Sequence, residues 1–215
     1  MNLPRIIVAD DHKILAECIR KLLEPEYEVA ATVSDGHALL KAASIHAPDL
    51  IILDIAMPLL NGLEAARQLK SKLPAVKLIF LTMNEDPDLA REAFKLGASG
   101  YLLKKSAASE LFQAIRAALK GKIYTSPQVA RAMEDAFILK PDGGKIRKDL
   151  TARQREVMQL LAEGKSMKEA ADILSLTART VAFHKYRMME GLGLKTNADL
   201  VQFAVKHHIV VGLNA

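Results

Sequence analysis

The sequence predicts an α/β fold, a doubly wound parallel sheet of five strands, followed by a small all-α domain of four helices. Short and continuously apolar runs, such as Ile6–Ala9 and Leu50–Leu53, alternate with longer amphipathic stretches. Such runs are typical of strands buried on both faces of a parallel sheet. After residue 150 the strand-like runs give way to a series of capping signals for short helices.

The first 120 residues repeat a strand and a helix five times, which predicts right-handed crossovers with helices on both faces of the sheet. Pro48, Pro74 and the segment 97–100 mark returns of the chain to the sheet. The predicted strands are 5–9, 28–33, 49–53, 77–81 and 100–103. The predicted helices are 12–23, 36–46, 62–71, 87–96 and 107–120.

A linker separates the two predicted domains. Ser126-Pro127 provides an N-cap and a first-turn proline for a helix to about Phe137. Lys140–Lys145 contains a proline, two glycines and no apolar period, which predicts an irregular connection. The predicted boundaries are 1–122 for the first domain, 123–148 for the linker and 149–215 for the second domain.

Four capping residues open the predicted helices of the second domain: Thr151, Ser166, Thr177 and Thr196. These helices should end near residues 164, 174, 192 and 207, at glycines or at a loss of period. Two short helices joined by a tight turn predict a helix-turn-helix.

Composition indicates two small cores and no segment that crosses a membrane. A chain of 215 residues suffices for two domains, and no apolar run approaches the ~20 residues that span a bilayer. Cys18 is the only cysteine, and the chain starts without a signal-peptide pattern. Both features favour the cytoplasm, with Cys18 reduced and buried as a small apolar residue.

Charge is divided unevenly along the chain. Residues 1–120 carry 15 basic and 15 acidic side chains, whereas residues 121–215 carry 15 and 10, so the net charge of +5 lies in the second part. A basic domain joined to a neutral one favours a polyanionic partner.

Polar side chains close four of the predicted strands: Asp10 and Asp11 the first, Asp54 the third, Thr82 the fourth and Lys104 the fifth. Because the carboxyl ends of parallel strands meet at one edge, these groups should converge there. Asp11 and Asp54 are predicted ligands of Mg²⁺, with Asp10 acting through water. A free Asp54 oxygen is the predicted nucleophile toward phosphorus. Lys104 and Thr82 would bind the phosphoryl oxygens.

Each of these residues also has an ordinary structural explanation. Asp11 could cap the first helix, Asp54 could belong to a turn, and Lys104 could be a solvated surface lysine. Their joint occurrence at four strand ends favours the binding site.

This pattern resembles the receiver domain of two-component response regulators over residues 5–120. The resemblance implies a flavodoxin-like sheet with strand order 2-1-3-4-5. The residues that carry it are Asp10-Asp11, Asp54, Met57-Pro58, Gly62, Leu81-Thr82 and Gly100–Lys104. One departure is Lys105, which stands where many receivers have proline.

The resemblance also implies roles for individual residues. Asp54 would be the phosphoacceptor, supplied by a phosphohistidine of a sensor histidine kinase. The backbone carbonyl of Ala56 would complete the Mg²⁺ shell, and Thr82 and Tyr101 would form the conformational switch. Self-phosphorylation and autodephosphorylation at Asp54 are the only chemistry it implies for the chain itself.

Residues 150–211 resemble the LuxR-type helix-turn-helix of the NarL/FixJ class of regulators. The shared frame comprises Leu150–Val157, Leu160–Ser166, Lys168–Ala171, Thr180-Val181, His184, Leu192–Leu194 and Ala198–Val201. The resemblance implies sequence-specific binding to a double-stranded DNA operator.

The third helix of this domain is the predicted reading helix. Val181, His184, Met188 and Leu192 form one stripe that should pack inward. The predicted DNA contacts are Lys165, Lys168, Arg179, Thr180, Ala182, Phe183, Lys185, Tyr186 and Arg187. An ordinary solvated basic face is the alternative for the cations.

This helix departs from the family in composition. Relatives often carry a basic residue where Ala182 and Gly191 stand. Phe183 and Tyr186 stand where polar side chains that contact bases would be expected. Phe183 could contact a thymine methyl group or pack against another protein.

The last helix presents Leu200, Val201, Ala204 and Val205, which face two directions. Packing within the monomer explains most of this stripe, and the resemblance adds a homodimer that forms on activation and binds two half-sites.

Together, the two resemblances predict a phosphorylation-activated transcription factor, with RNA polymerase as a further candidate partner. A haloacid-dehalogenase-type hydrolase is disfavoured, because it requires an acid two residues after the nucleophile, where Ala56 stands. A regulator acting through protein contacts and a DNA binder independent of phosphorylation remain as alternatives.

Overall fold

The computed structural model describes residues 3–139 and 150–210. The chain forms two compact units, Met1–Gly143 and Gly144–Ala215. The predicted connection Lys140–Lys145 lies outside the described residues. Within the described ranges, none of the helices combines the length and the apolar character that crossing a bilayer demands.

The first unit is a parallel sheet with strand order β2-β1-β3-β4-β5-β6. Its strands are β1 (Arg5–Ala9), β2 (Glu28–Val33), β3 (Leu50–Asp54), β4 (Lys77–Thr82), β5 (Gly100–Leu103) and β6 (Tyr124–Thr125). Its helices are α1 (Lys13–Leu23), α2 (Gly36–His46), α3 (Gly62–Lys72), α4 (Pro87–Lys95), α5 (Ala107–Leu119) and α6 (Pro127–Leu139). The doubly wound α/β prediction is thus confirmed, together with the order of the first five strands.

The burial of the sheet follows from its apolar runs. Every residue of β3 and β5 is buried, and β1 is buried from Ile6 onward. Alternate side chains of these strands pack against the apolar faces of α1 and α5, which cover one face of the sheet. The α1 face consists of Ala16, Ile19 and Leu23. Cys18 lies off that face and is exposed, so the prediction that it is buried is wrong.

A sixth strand corrects the five-stranded prediction. Tyr124 and Thr125 pair in parallel with Gly100 and Tyr101 of β5. A strand of two residues is too short to show a periodic pattern in the sequence, so these residues were assigned to the linker. The predicted helix after Ser126 is present as α6, and it packs against α4.

Ser126 fastens the start of α6 to the sheet. Its hydroxyl accepts a hydrogen bond from the Leu103 backbone N–H at 3.3 Å and donates one to the Glu110 carboxylate at 2.5 Å. Its own backbone N–H donates to the Tyr101 carbonyl at 3.0 Å. Ser126 is only 1% exposed, so these bonds replace contacts with water and fix the first turn of α6 beside the carboxyl end of β5.

The second unit contains α7 (Ala152–Ala162), α8 (Met167–Leu174), α9 (Ala178–Leu192) and α10 (Asn197–Lys206). Thr151 and Ser166 form capping boxes with Gln154 and Glu169, as predicted. Thr196 forms a third box, and Gly193 ends α9 with φ 71°. Contacts of α9 with α7 and α8, and of α10 with α7, close the helical core.

Substitution Ser126→Ala should lower the free energy of unfolding of the protein by about 1–3 kcal/mol, because the buried Leu103 N–H and the Glu110 carboxylate each lose a partner. Urea denaturation followed by circular dichroism measures the change. Ser109→Ala is the matched control, since the Ser109 hydroxyl bonds only the Ser106 carbonyl in an exposed setting. Equal effects of the two substitutions would contradict the role assigned to Ser126.

Candidate functional site

Four parallel strands bring the predicted residues to one edge of the sheet. Asp10 follows β1, Asp54 is the last residue of β3, Thr82 is the last residue of β4, and Lys104 follows β5. The Lys104 ammonium lies 2.8 Å from Asp54 Oδ2, and 3.0 and 2.8 Å from the two Asp10 oxygens. The sheet therefore joins residues that are 94 positions apart in the sequence.

These three charges are almost fully buried. The side chain of Lys104 is 5% exposed, and those of Asp10 and Asp54 are 2% exposed. Lys104 is therefore not the solvated surface lysine of the alternative interpretation. Removing charges from water is costly unless each is paired, and here one ammonium serves two carboxylates. The buried group keeps a net negative charge.

Electrostatics at Asp54 reflect this imbalance. Burial raises the pKa of Asp54 and the nearby Asp10 charge adds to the rise, although the Lys104 ammonium and the Ala56 backbone N–H oppose it. Burial by itself would lower the pKa of Lys104, but Asp54 and Asp10 together raise it. Lys104 therefore remains charged, and the site favours either a proton or an added cation.

The donor set fits a hard divalent cation. Ligand atoms of Asp10, Asp11, His12 and Asp54 all lie within 4.8 Å of one another. Asp10 Oδ2 is buried and, although close to the Lys104 ammonium, accepts no hydrogen bond among the described residues. The single Lys104 ammonium compensates only part of the negative charge of the carboxylates, and an oxygen-rich set suits Mg²⁺.

Asp11 and Ala56 take positions consistent with this site. Asp11 is 35% exposed, and its carboxylate lies 2.9 Å from His12 Nδ1. It does not cap α1, because His12 occupies the N-cap position and α1 has no side-chain cap. The Ala56 backbone N–H donates to Asp54 Oδ1 at 3.2 Å, so Asp54 also belongs to a turn. A ligand role for the Ala56 carbonyl stays a prediction.

Thr82 and Tyr101 meet at the loop between β4 and α4. The Thr82 hydroxyl accepts a hydrogen bond from the Asn84 backbone N–H at 3.1 Å. The Tyr101 hydroxyl donates to the Asn84 carbonyl at 3.3 Å. Tyr101 is fully buried, with ring centroids 6.5 Å from Phe80 and 6.4 Å from Phe94. Both predicted switch residues thus contact one loop residue.

Sequence reasoning missed three residues around this site. His12 contacts both aspartates, and its position directly after Asp10-Asp11 was a usable signal. Asn84 links the two predicted switch residues, and only the fold places it between them. Glu85 forms an ion pair with Lys105, the residue that stands where many receivers have proline.

Gly62 holds the Asp54 backbone in place. Its N–H donates to the Ile55 carbonyl at 3.0 Å. A Cβ at position 62 would lie 2.0 Å from the Asp54 carbonyl oxygen, a distance that no side chain can adopt without moving β3. Asn61 caps α3 beside it and is itself buried. The α3 N-terminus therefore packs directly on the strand that ends in Asp54.

The predicted DNA contacts lie on α8, on α9 and on the turn before α8. Val181 and Met188 are buried in the core, and His184 and Leu192 are half-buried, in agreement with the inward stripe. The exposed predicted contacts are Lys168, Arg179, Phe183, Tyr186 and Arg187, and the half-buried ones are Lys165, Thr180, Ala182 and Lys185.

The predicted dimer stripe is divided between two environments. Leu200 is 2% exposed and Ala204 is fully buried within the helical core. Val201 is half-buried and Val205 is exposed. Any partner helix would therefore meet Val201 and Val205.

Two family models match the chain. The response regulator receiver domain matches residues 6–116, and the bacterial regulatory proteins of the luxR family match residues 148–204. Oxygen regulatory protein NreC of Staphylococcus epidermidis is 30% identical over 96% of this chain and 99% of its own length. Transcriptional regulatory protein DegU of Brevibacillus brevis is 31% identical over 96% and 94%.

Solved structures of RcsB resemble both units. RcsB of Salmonella enterica serovar Typhimurium, bound to a promoter in the presence of the phosphomimetic BeF3-, superposes with a TM-score of 0.60. It is 29% identical over 94% of this chain and 98% of that one. A structure of two RcsB dimers bound to two parallel DNAs gives a TM-score of 0.59 with the same identity and coverage.

Substitution Gly62→Ala should displace Asp54 and lower the free energy of unfolding by about 1–3 kcal/mol, as overpacking does in buried sites. Urea denaturation measures the loss. Gly191→Ala is the control, because a Cβ there meets nothing within 4 Å inside α9 and should stabilise by roughly 0.5–1 kcal/mol. Similar destabilisation by both substitutions would refute the contact argument.

Substitution Asp54→Asn should raise the free energy of unfolding without Mg²⁺ by on the order of 1 kcal/mol, because the raised pKa of Asp54 means that the folded protein prefers the neutral form. Added Mg²⁺ should raise the melting temperature of the wild type more than that of the variant. Asp88→Asn, at an exposed helical pair, controls for charge alone. A variant that is less stable than the wild type in EDTA would show that the Lys104 pair dominates.

Proposed function

Since this chain belongs to the response regulators of the NarL/FixJ class, with a receiver domain and a LuxR-type DNA-binding domain, we propose that phosphorylation of Asp54 controls its binding to DNA. The observation that carries the proposal is the convergence of Asp10, Asp54, Thr82 and Lys104 at one edge of the sheet. The family consists of transcription regulators. The receiver domain predicted at residues 1–122 and the DNA-binding domain predicted at 149–215 would carry the two halves of this function. Within the predicted linker 123–148, β6 and α6 pack on the receiver.

Phosphoryl transfer to Asp54 follows from the chemistry of the site. A sensor histidine kinase presents a phosphohistidine, an Asp54 carboxylate oxygen attacks the phosphorus, and a P–O bond forms as the P–N bond breaks. The kinase histidine leaves with the electron pair of the broken bond. Mg²⁺ held by Asp10, Asp11, Asp54 and the Ala56 carbonyl would neutralise the phosphoryl charge.

The protein side chains position the group and compensate its charge. The Lys104 ammonium already lies 2.8 Å from Asp54 Oδ2, within reach of an oxygen on the new phosphoryl group. The Thr82 hydroxyl at the end of β4 supplies a hydrogen-bond donor once it turns toward that group. Catalysis would consist of placement and electrostatic stabilisation, limited to phosphorylation and dephosphorylation at Asp54.

The switch would operate through the β4–α4 loop. The Thr82 hydroxyl accepts a hydrogen bond from the Asn84 backbone N–H. If the hydroxyl rotates toward a phosphoryl oxygen, this hydrogen bond breaks. The Tyr101 hydroxyl bonds the carbonyl of the same Asn84, so movement of this loop changes the surroundings of both side chains. Phosphorylation thereby acts as a ligand that shifts a two-state equilibrium.

The output would be a homodimer on a double-stranded operator. RcsB dimers bind DNA, and the exposed cations of α8 and α9 in this chain suit contacts with phosphates. Val201 and Val205 are the surface residues of the proposed dimer helix. RNA polymerase is a further candidate partner, and the cytoplasm is the compartment in which these partners meet.

Treatment of the full chain with acetyl phosphate and Mg²⁺ should convert it to a dimer and tighten its binding to DNA by about 5- to 150-fold, the usual range of coupling between two sites. Sedimentation velocity and fluorescence anisotropy with genomic fragments measure the two effects. Asp54→Ala should respond to neither reagent.

Two outcomes would contradict this proposal. Equal DNA affinity of treated and untreated wild type would favour a DNA binder that is independent of phosphorylation. Dimerisation on treatment without binding to any genomic fragment would favour a regulator that acts through protein contacts.

A further inference from the structure

Two aromatic side chains project from α9 into solvent. Phe183 is 56% exposed and Tyr186 is 61% exposed, while Val181 and Met188 on the opposite side of the helix are buried. Exposed rings of this size keep an unfavourable contact with water unless a partner covers them. Arg179, Phe183 and Tyr186 are spaced at i, i+4 and i+7, so they share one face of the helix.

Cations surround this aromatic pair. The Arg187 guanidinium carbon lies 5.7 Å from the centroid of the Phe183 ring, and the Lys185 ammonium lies 5.5 Å from that of Tyr186. The segment from Ala178 to Met189 contains no acidic residue. The face therefore fits a partner with negative edges and an apolar interior.

The major groove of DNA has this composition. Phosphates line its two edges, and the C5-methyl groups of thymine project from its floor. An α-helix fits within the groove, with side chains of its N-terminal half close to the bases. An acidic protein with an apolar pocket could match the charges, but the face lies on α9, the predicted recognition helix of the helix-turn-helix, which favours DNA.

The side chains at positions 182 and 183 cannot make the commonest specific contact, readout of guanine, so on this face that contact would fall to Arg179. Bidentate bonds to guanine need an Arg or Lys directed at the base edge, and position 182 is Ala while position 183 is Phe. Lys185 and Arg187 already lie against the rings, with their charged groups beside the aromatic pair instead of at its centre.

We infer that Phe183 and Tyr186 select the operator by packing on the C5-methyl groups of thymine in the major groove, an inference that rests on the proposed DNA-binding function. Lys185 and Arg187 contact the flanking phosphates and hold the rings in place. Burial of one methyl group contributes ~0.8 kcal/mol, which corresponds to about a fourfold change in affinity for each thymine contacted.

The test begins with selection of bound sequences from a random double-stranded DNA library, using the full chain with acetyl phosphate and Mg²⁺. Selected sites should contain thymine at fixed positions in each half-site. Each of these thymines is then replaced by uracil, which removes only the methyl group. Wild-type affinity should fall about fourfold at a contacted position.

Variants assign the effect to the aromatic pair. Phe183→Ala should bind the thymine and uracil forms equally at one position of the half-site, and Tyr186→Ala should do so at another. Arg179→Ala, on the same face, should weaken binding to both forms alike, because it removes a contact that does not involve the thymine methyl group. Thermal unfolding of each variant verifies that exposed substitutions leave the domain folded.

Each result bears on a distinct claim. Selected sites read at guanine, or uracil forms bound as tightly as thymine forms, would overturn the thymine inference while leaving DNA binding intact. Retained methyl discrimination in both aromatic variants would overturn the assignment to Phe183 and Tyr186. Failure to bind any DNA at all, with or without acetyl phosphate, would overturn the proposed function and this inference together.

Discussion

The functional edge of the first unit is organised by one buried ammonium group that two carboxylates share. Lys104 lies between Asp10 and Asp54 with almost no contact with water, and it prevents direct repulsion between them. One cation cannot neutralise two anions, so the folded site retains an electrostatic demand for a second cation. The proposed function follows from this demand, because Mg²⁺ and then a phosphoryl group would extend an arrangement that folding has already assembled.

Strand β5 connects the acidic site to β6 at the edge of the sheet. β5 carries Tyr101 and leads into Lys104, and it pairs with β6. The Tyr101 carbonyl accepts a hydrogen bond from the backbone N–H of Ser126, which opens α6. Tyr101, one of the two proposed switch residues, is therefore bonded to the residue that precedes α6. This hydrogen bond connects β5 to the start of α6 within the first unit.

The second unit combines a conventional frame with an unusual surface. Thr151, Ser166 and Thr196 close their helices through reciprocal hydrogen bonds, and buried apolar side chains fill the core. The exposed face of α9 instead carries Phe183 and Tyr186 beside cations. Such a face keeps the attraction to phosphates that any DNA-binding domain needs, while the reading of bases passes from hydrogen bonds to apolar contact. The residues that stabilise the fold of this domain are thus different from the exposed residues proposed to select the DNA sequence.

The sequence by itself determined the first five strands, the helices and the charged strand-end residues of the acidic site, because continuous apolar runs, capping residues and polar strand ends depend on local chemistry. It placed Asp10, Asp54 and Lys104 at strand ends, and the parallel order then required them to meet. Only the tertiary structure decided that Asn84 lies between Thr82 and Tyr101 and that Tyr124-Thr125 adds a strand. These features are contacts between distant segments, with too few residues in each to leave a periodic signal. Burial of Leu200 and Ala204, and exposure of Cys18, were likewise settled by which neighbouring helix covers each face.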